Sequence, residues 1–245
     1  MRMSSPCWKR TDKNKTDVKR DNYIGMSKVL DDHIAELNNT RPTTPFFFLK
    51  PPSSILPPKA GPILRPPHVS LHHEVELALI MSRTLRHLHP KDTAGAFSAI
   101  GAYATAIDLT ARNVQADAKK KGLPWTIAKG YDTFLPLSEA ILSDKIPSPA
   151  TSPIELWLSV NGKMRQQDLT SLMLFDIPRI LSEISGVMTL EEGDVVLTGT
   201  PKGVSEIKEG DFVKAGMRID GKEIEGSNIE VGVELDEVAP SMKEQ

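Results

Sequence analysis

The spacing of apolar positions divides the 245-residue chain into a polar start, a proline-rich stretch and a long series of short apolar segments. The first twenty residues carry seven Lys or Arg and two Asp with almost nothing apolar, so no core-facing stripe can be drawn there. Over residues 27–39, Val29, Leu30, His33, Ile34 and Leu37 recur at spacings of three and four, which predicts a short helix capped by Ser27. Nine of the 19 prolines fall between Pro42 and Pro67. The same stretch holds Phe46, Phe47, Phe48, Ile55, Leu56, Ile63 and Leu64, side chains that are costly to leave in water. It reads as ordered, loop-rich chain with a buried strand at residues 45–50.

Residues 72–80 read as a strand, and residues 93–108, rich in alanine and glycine, as a helix running into another strand. Residues 157–160, Asn161-Gly162 and residues 163–166 spell a hairpin around a type I′ turn. Residues 172–184 predict a helix with a boundary near Pro178. Residues 195–198 predict a short buried strand, and residues 212–225 further hairpin elements turning at Asp220-Gly221. Short strands outnumber helices and no repeat is visible, so a single β-rich α+β domain is expected.

Composition narrows the function. A mass of 27.0 kDa with 39% apolar and 25% charged residues is that of an ordinary globular chain. A formal charge of −2 supplies no field toward nucleic acid or an anionic membrane. The single cysteine, Cys7, excludes an internal disulfide framework, and no stretch reaches the ~18 apolar residues of a membrane span. A mitochondrial presequence should be Arg-rich and nearly free of acids. The start is Lys-rich and contains Asp12 and Asp17, so residues 1–26 read as an atypical disordered tail ahead of one domain at residues 27–240.

The sharpest chemical signal is Glu74-Val75-Glu76. Side chains on a strand alternate between faces, so the two carboxylates point the same way. Held together in an apolar setting, they call for a cation between them, and oxygen ligands suit Mg²⁺ or Mn²⁺. A solvent-facing edge with two hydrated glutamates is the alternative. Ala78 and Ile80 continue the glutamate face as apolar residues, which favours burial. A third acid, Asp108, closes the apolar segment 102–107 and is followed by Thr110, Arg112 and Gln115, as at the rim of a pocket. His72 and His73 lack the HExxH spacing of zinc peptidases. His33 and Glu36 lie one helical turn apart and can touch, an arrangement competent to activate water, although a His/Glu pair on a helix is more often surface charge. Lys129, within an apolar stretch, either snorkels outward or aims at an anionic substrate. The loop 198–203 does not meet the phosphate-loop pattern, although its backbone N–H groups could meet a carboxylate. No nucleophile elbow and no Rossmann glycine fingerprint occurs.

Read in order, DHIAEL, FFFLKPPSS, HHEVEL, IDLTARNVQ, KKKGLPWTIAKGYDTFLP, VNGKMRQ and GDVVLTGTPKGV resemble the fumarylacetoacetate hydrolase superfamily, in its small-domain branch of acylpyruvases and oxaloacetate-handling enzymes. The resemblance runs from about Asp32 to about Glu237. It implies a β-rich mixed roll, a homodimer, a mitochondrial or cytoplasmic location, and one Mg²⁺ or Mn²⁺ held by Glu74, Glu76 and Asp108. It further implies Lys129 as stabiliser of an oxyanion or enolate, and Lys50, Arg112, Gln115 and Thr200 as the lining of a site for a small 2-oxo acid. His33 and Glu36 become the water-activating pair on a helix closing over that site. The implied chemistry is acylpyruvate hydrolysis, with oxaloacetate tautomerisation or decarboxylation through the same metal-stabilised enolate. An inactive metal-binding relative and an isomerase or hydratase of the superfamily are the alternatives. The family pattern Gly-Arg-Asn-Tyr after an apolar strand is replaced here by Arg20-Asp21-Asn22-Tyr23, with nine residues between Tyr23 and His33, so no N-terminal strand is expected.

Overall fold

Alternation and small side chains build the strands that carry the candidate site. Every residue of the Val75–Met81 strand is buried. Val75, Leu77, Leu79 and Met81 enter the principal core. Ala78 and Ile80 face a second cluster containing Ala102, Ala104, Ala106, Leu135, Leu137, Val195 and Leu197. A strand covered on both faces leaves no room for an unpaired charge, and each buried leucine contributes about 2 kcal/mol. The partner strand Ile100–Ile107 is also buried throughout, and its alanines and glycine let the covering elements approach closely.

The computed structural model of the chain describes residues 23–27 and 43–238. Its first sheet has six strands in the order Ile141–Leu142, Ile100–Ile107, Val75–Met81, Val195–Leu197, Tyr23–Ser27 and Phe46–Lys50. The second runs Lys163–Leu169, Glu155–Val160, Phe212–Ile219, Ile229–Leu235 and Ile63–Arg65. Residues of both sheets share the principal core, where Leu77 and Leu79 of the first join Leu156, Leu158, Val213 and Val231 of the second. The result is the β-rich α+β architecture expected. A third, small sheet joins Glu206–Ile207, Leu71–His72 and Thr110–Ala111. By pairing Leu71 with Ala111 and His72 with Glu206, it draws three distant segments to one end of the first sheet.

The hairpin at Asn161-Gly162 turns with φ of 50° and 76°, as a type I′ turn requires. Asp220-Gly221 does the same with 51° and 74°. The strand expected over residues 45–50 spans Phe46–Lys50, but only Lys50 of it is buried, and Phe46 and Leu49 are exposed. Three further expectations need correction. Residues 72–80 are not one strand: Leu71–His72 and Val75–Met81 are separate, with His73 and Glu74 between them. The helix expected over residues 172–184 starts at Ile177 and ends at Val187, because Asp176 caps it by accepting from the Arg179 N–H and Pro178 sits in the first turn. Third, Tyr23–Ser27 is a strand, parallel to Val195–Leu197 and antiparallel to Phe46–Lys50. Residues 23–26 are thus paired in the sheet rather than part of a tail, while the apolar strand missing ahead of Tyr23 concerns residues outside those described. An edge of unpaired N–H and C=O groups recruits chain by backbone pairing, and a side-chain pattern alone does not reveal that. The helix predicted from the 27–39 stripe, with His33 and Glu36, lies outside the described residues beyond Ser27.

Candidate active site

The break between Leu71–His72 and Val75–Met81 places Glu74 at the mouth of the Val75 strand while Glu76 enters the sheet. The Asp108 N–H donates to the Glu74 carbonyl at 2.8 Å, so the end of the Ile100–Ile107 strand delivers Asp108 beside both. Carboxylate oxygens of Glu74, Glu76 and Asp108 lie within 4.8 Å of one another, and all three residues are buried.

Basic groups surround this trio unevenly. Lys129, 1% exposed at the end of the Thr126–Lys129 helix, donates to Glu74 Oε2 at 2.9 Å and to Asp108 Oδ2 at 2.6 Å. Burial alone would push its ammonium down, but the two carboxylates outweigh that and hold it above its ordinary value. Lys50, at the end of the Phe46–Lys50 strand, donates to the Lys129 carbonyl and lies 2.9 Å from Asp108 Oδ1. Its pKa is lowered because burial outweighs the attraction of Asp108, with Lys129 adding repulsion. Arg112 donates to Glu74 Oε1 at 2.8 Å and to Gln115 Oε1 at 2.7 Å, and Thr110 Oγ1 adds a bond to Glu74 at 3.1 Å. Phe48 lies under the Lys129 ammonium, 5.0 Å from ring centre to Nζ.

Glu76 stands apart from these cations. One oxygen accepts from the Gly199 N–H at 2.5 Å, while Oε1 is buried with no hydrogen-bond partner among the described residues. Burial, followed by the charges of Asp108 and Glu74, raises its pKa well above the ordinary carboxylate value. An orphaned oxygen facing two further carboxylates is the arrangement a hard divalent cation would complete, and an all-carboxylate donor set fits Mg²⁺ or Mn²⁺.

Lys50, Glu74, Glu76, Asp108, Arg112, Gln115 and Lys129 thus meet at one end of the first sheet. Thr200 is reached through a chain of contacts: it accepts from Gln166 Nε2 at 2.8 Å and follows Gly199, which binds Glu76. His73 is a buried, hydrogen-bonded imidazole whose pKa burial lowers to about 4. Gln166 is the polar residue the sequence reading assigned no role. Its one trace in the sequence is its place at the end of the VNGKMRQ motif; in the Lys163–Leu169 strand it is buried while its neighbours Arg165 and Gln167 are exposed.

Residues 22–229 match the family described as fumarylacetoacetate (FAA) hydrolase C-terminal. The chain belongs to that family. It is 54% identical over 183 residues to the mitochondrial oxaloacetate tautomerase oaa1 of Schizosaccharomyces pombe, covering 75% of this chain and 82% of that protein. It is 46% identical over 186 residues to the mitochondrial oxaloacetate decarboxylase of Dictyostelium discoideum, with 76% and 83% covered. The crystal structure of yeast ynq8, a fumarylacetoacetate hydrolase family protein, superposes with a TM-score of 0.78 at 40% identity, covering 87% of this chain and 93% of that one.

Proposed function

We propose that the chain is a Mg²⁺- or Mn²⁺-dependent enzyme that interconverts the keto and enol forms of oxaloacetate and can release CO₂ from it, with acylpyruvate hydrolysis as a related reaction. The observation that carries this reading is the buried trio of Glu74, Glu76 and Asp108 with its orphaned Glu76 oxygen. These residues would hold the cation, which when bound supplies Lewis-acid polarisation of a 2-oxo group. The names of the Schizosaccharomyces and Dictyostelium relatives support the substrate, and both names support a mitochondrial location.

Formal charge favours a dianionic substrate. The three carboxylates are offset by Lys50, Lys129 and Arg112, so a divalent ion leaves a surplus that two substrate carboxylates neutralise. Arg112, partly exposed and aligned by Gln115, presents its planar fork to one of them. The Thr200 hydroxyl accepts from Gln166 and keeps its own proton to donate. Lys129 and Lys50 hold positive charge where negative charge develops on the 2-oxo oxygen, and in a buried site that attraction is strong. Tautomerisation takes one proton from the carbon between the carbonyl-bearing groups and places one on the 2-oxo oxygen, or the reverse. His33 and Glu36 are the groups we assign to move it and, for an acylpyruvate, to activate water. A homodimer is the assembly we expect, readable by light scattering.

The test follows decay of the oxaloacetate enol absorbance, pyruvate release from oxaloacetate, and consumption of acetylpyruvate, each with and without EDTA. Metal-dependent acceleration of the first is expected. Turnover that survives complete chelation, or no consumption of any of the three with Mg²⁺ or Mn²⁺ added, overturns the reading.

Metal binding should also release a proton. The folded pKa of Glu76 lies above its unfolded value of 4.5. Its protonated form therefore stabilises the metal-free fold fully below pH 4.5, and that contribution is lost as pH rises through the raised folded pKa. A cation needs the ionised form. Mg²⁺ affinity is therefore expected to rise with pH until the raised pKa is passed, then level off. Calorimetry in buffers of different ionisation heat reads the proton count, and a pH-independent affinity without proton release contradicts the assignment of Glu76.

A further inference from the structure

Gln166 is 1% exposed and lies on the second sheet, away from the strands that carry the acids. Its carbonyl oxygen accepts from the Val75 N–H at 3.1 Å, the peptide between Glu74 and Glu76, and from His73 Nδ1 at 2.8 Å. Its amide nitrogen donates to Thr200 Oγ1 at 2.8 Å and to the Pro201 carbonyl at 2.7 Å. A backbone N–H on one side and a backbone carbonyl on the other leave the amide a single orientation. That orientation makes His73 Nδ1 the protonated nitrogen, so Nε2, 2.8 Å from Ser205 Oγ, accepts. One side chain therefore uses all four of its hydrogen-bonding positions to join the Glu74–Glu76 backbone to the 198–203 loop.

A second observation concerns the same junction. Gly203 has φ of 92°, and a Cβ there would come within 2.0 Å of the Arg165 carbonyl oxygen. The loop backbone thus rests directly on the strand beside Gln166, a closeness that glycine alone permits. The loop also delivers the Gly199 N–H to Glu76. Its position is therefore felt at the orphaned carboxylate and at the Thr200 hydroxyl together.

We infer that Gln166 is a positioning residue for the site: through Thr200 and Pro201 it holds the 198–203 loop in register with the carboxylate trio. The inference rests on the proposed reading of the site only where substrate is concerned. Buried amides with every position used gain rigidity from mutual alignment, and losing half of them frees the attached backbone.

The experiment uses the full chain with Mg²⁺ and compares Gln166→Glu, Gln166→Met and Thr200→Val. Gln166→Glu keeps the acceptor half and loses both donors; Gln166→Met keeps the volume without charge, and is the variant read if the carboxylate impairs folding. In either, backbone amide exchange at residues 198–203 is expected to quicken at least ~10-fold while the Ile177–Val187 helix keeps wild-type protection. The KM for oxaloacetate should rise about 10-fold with a smaller change in kcat. Combined with Thr200→Val, the KM effect should be clearly less than the product of the two, since Gln166 acts through Thr200. Wild-type exchange in the loop of both folded variants, or loss of protection spread evenly over the protein, overturns the inference. So does a KM effect that multiplies fully with that of Thr200→Val. If wild type consumes no oxaloacetate, the functional reading has failed, and the exchange measurement still decides the role of Gln166.

Discussion

Asp108→Ala is expected to lower metal-dependent turnover of oxaloacetate at least ~100-fold. The residue is fully buried; Lys129 donates to its Oδ2 at 2.6 Å, and Lys50 forms an ion pair 2.9 Å from Oδ1, which accepts no hydrogen bond among the described residues. Its loss removes a third of the acidic donor set and leaves two buried ammonium groups facing each other with one carboxylate fewer between them. Part of the effect of alanine is therefore destabilisation, and Asp108→Asn separates the two causes. Asparagine is nearly isosteric and keeps an acceptor for one lysine, but it has no charge for a cation. The asparagine variant should melt below wild type but above the alanine variant without metal, gain as little from added Mg²⁺ as alanine does, and remain at least ~100-fold slower than wild type. A wild-type rate in either variant removes Asp108 from the site chemistry.

Lys129→Met has the second large effect, and the size of its stability loss depends on metal. In the metal-free protein the ammonium is the shared partner of Glu74 and Asp108. Removing one side of a buried, paired set costs about 3–5 kcal/mol, because the remaining charges are stranded. A divalent ion can replace that positive charge electrostatically, so Mg²⁺ should raise the melting temperature of the variant by more than it raises that of wild type. The ion does not replace the donor aimed at the reacting oxygen, and turnover should stay about 10²–10³-fold down even at saturating Mg²⁺. Thermal unfolding with and without metal, beside steady-state rates, reads both parts. An unchanged melting temperature in EDTA, or full recovery of rate with Mg²⁺, contradicts the double role. Because the folded pKa of Lys129 is raised, its stabilising contribution is fully present below the unfolded lysine pKa. It is lost only as alkaline pH rises through the folded value, so neutral-pH measurements suffice.

Much of the site was legible along the chain because its signals are local. Glu74 and Glu76 stand two apart beside apolar residues, and that spacing alone puts both on one side of extended backbone. Asp108 ends an alanine-rich strand. Lys129 ends a short apolar stretch. Arg112 and Gln115 stood out by their position just after Asp108, whereas Lys50 and Thr200 entered through the resemblance of their surrounding motifs rather than through spacing. Gln166 went unassigned because its meaning is not local: its partners His73 and Thr200 lie 93 and 34 residues away, and a lone glutamine in a polar hairpin strand carries no periodic mark. The start of the Ile177–Val187 helix was misplaced for the opposite reason, a continuous apolar pattern masking a local cap at Asp176.

By itself, then, the sequence determined several of the strands, the two hairpin turns and the acids available to a cation, since each follows from backbone sterics and from the two-residue period of an extended chain. Tertiary structure decided which of these groups meet. The Asp108 N–H pairs with the Glu74 carbonyl, Lys50 reaches the Lys129 carbonyl across 79 residues, and the Gly199 N–H reaches Glu76 across 123. Tyr23–Ser27 lies between Val195–Leu197 and Phe46–Lys50, pairing with both. Such long-range choices are settled by sheet pairing and by the cost of a buried charge without a partner.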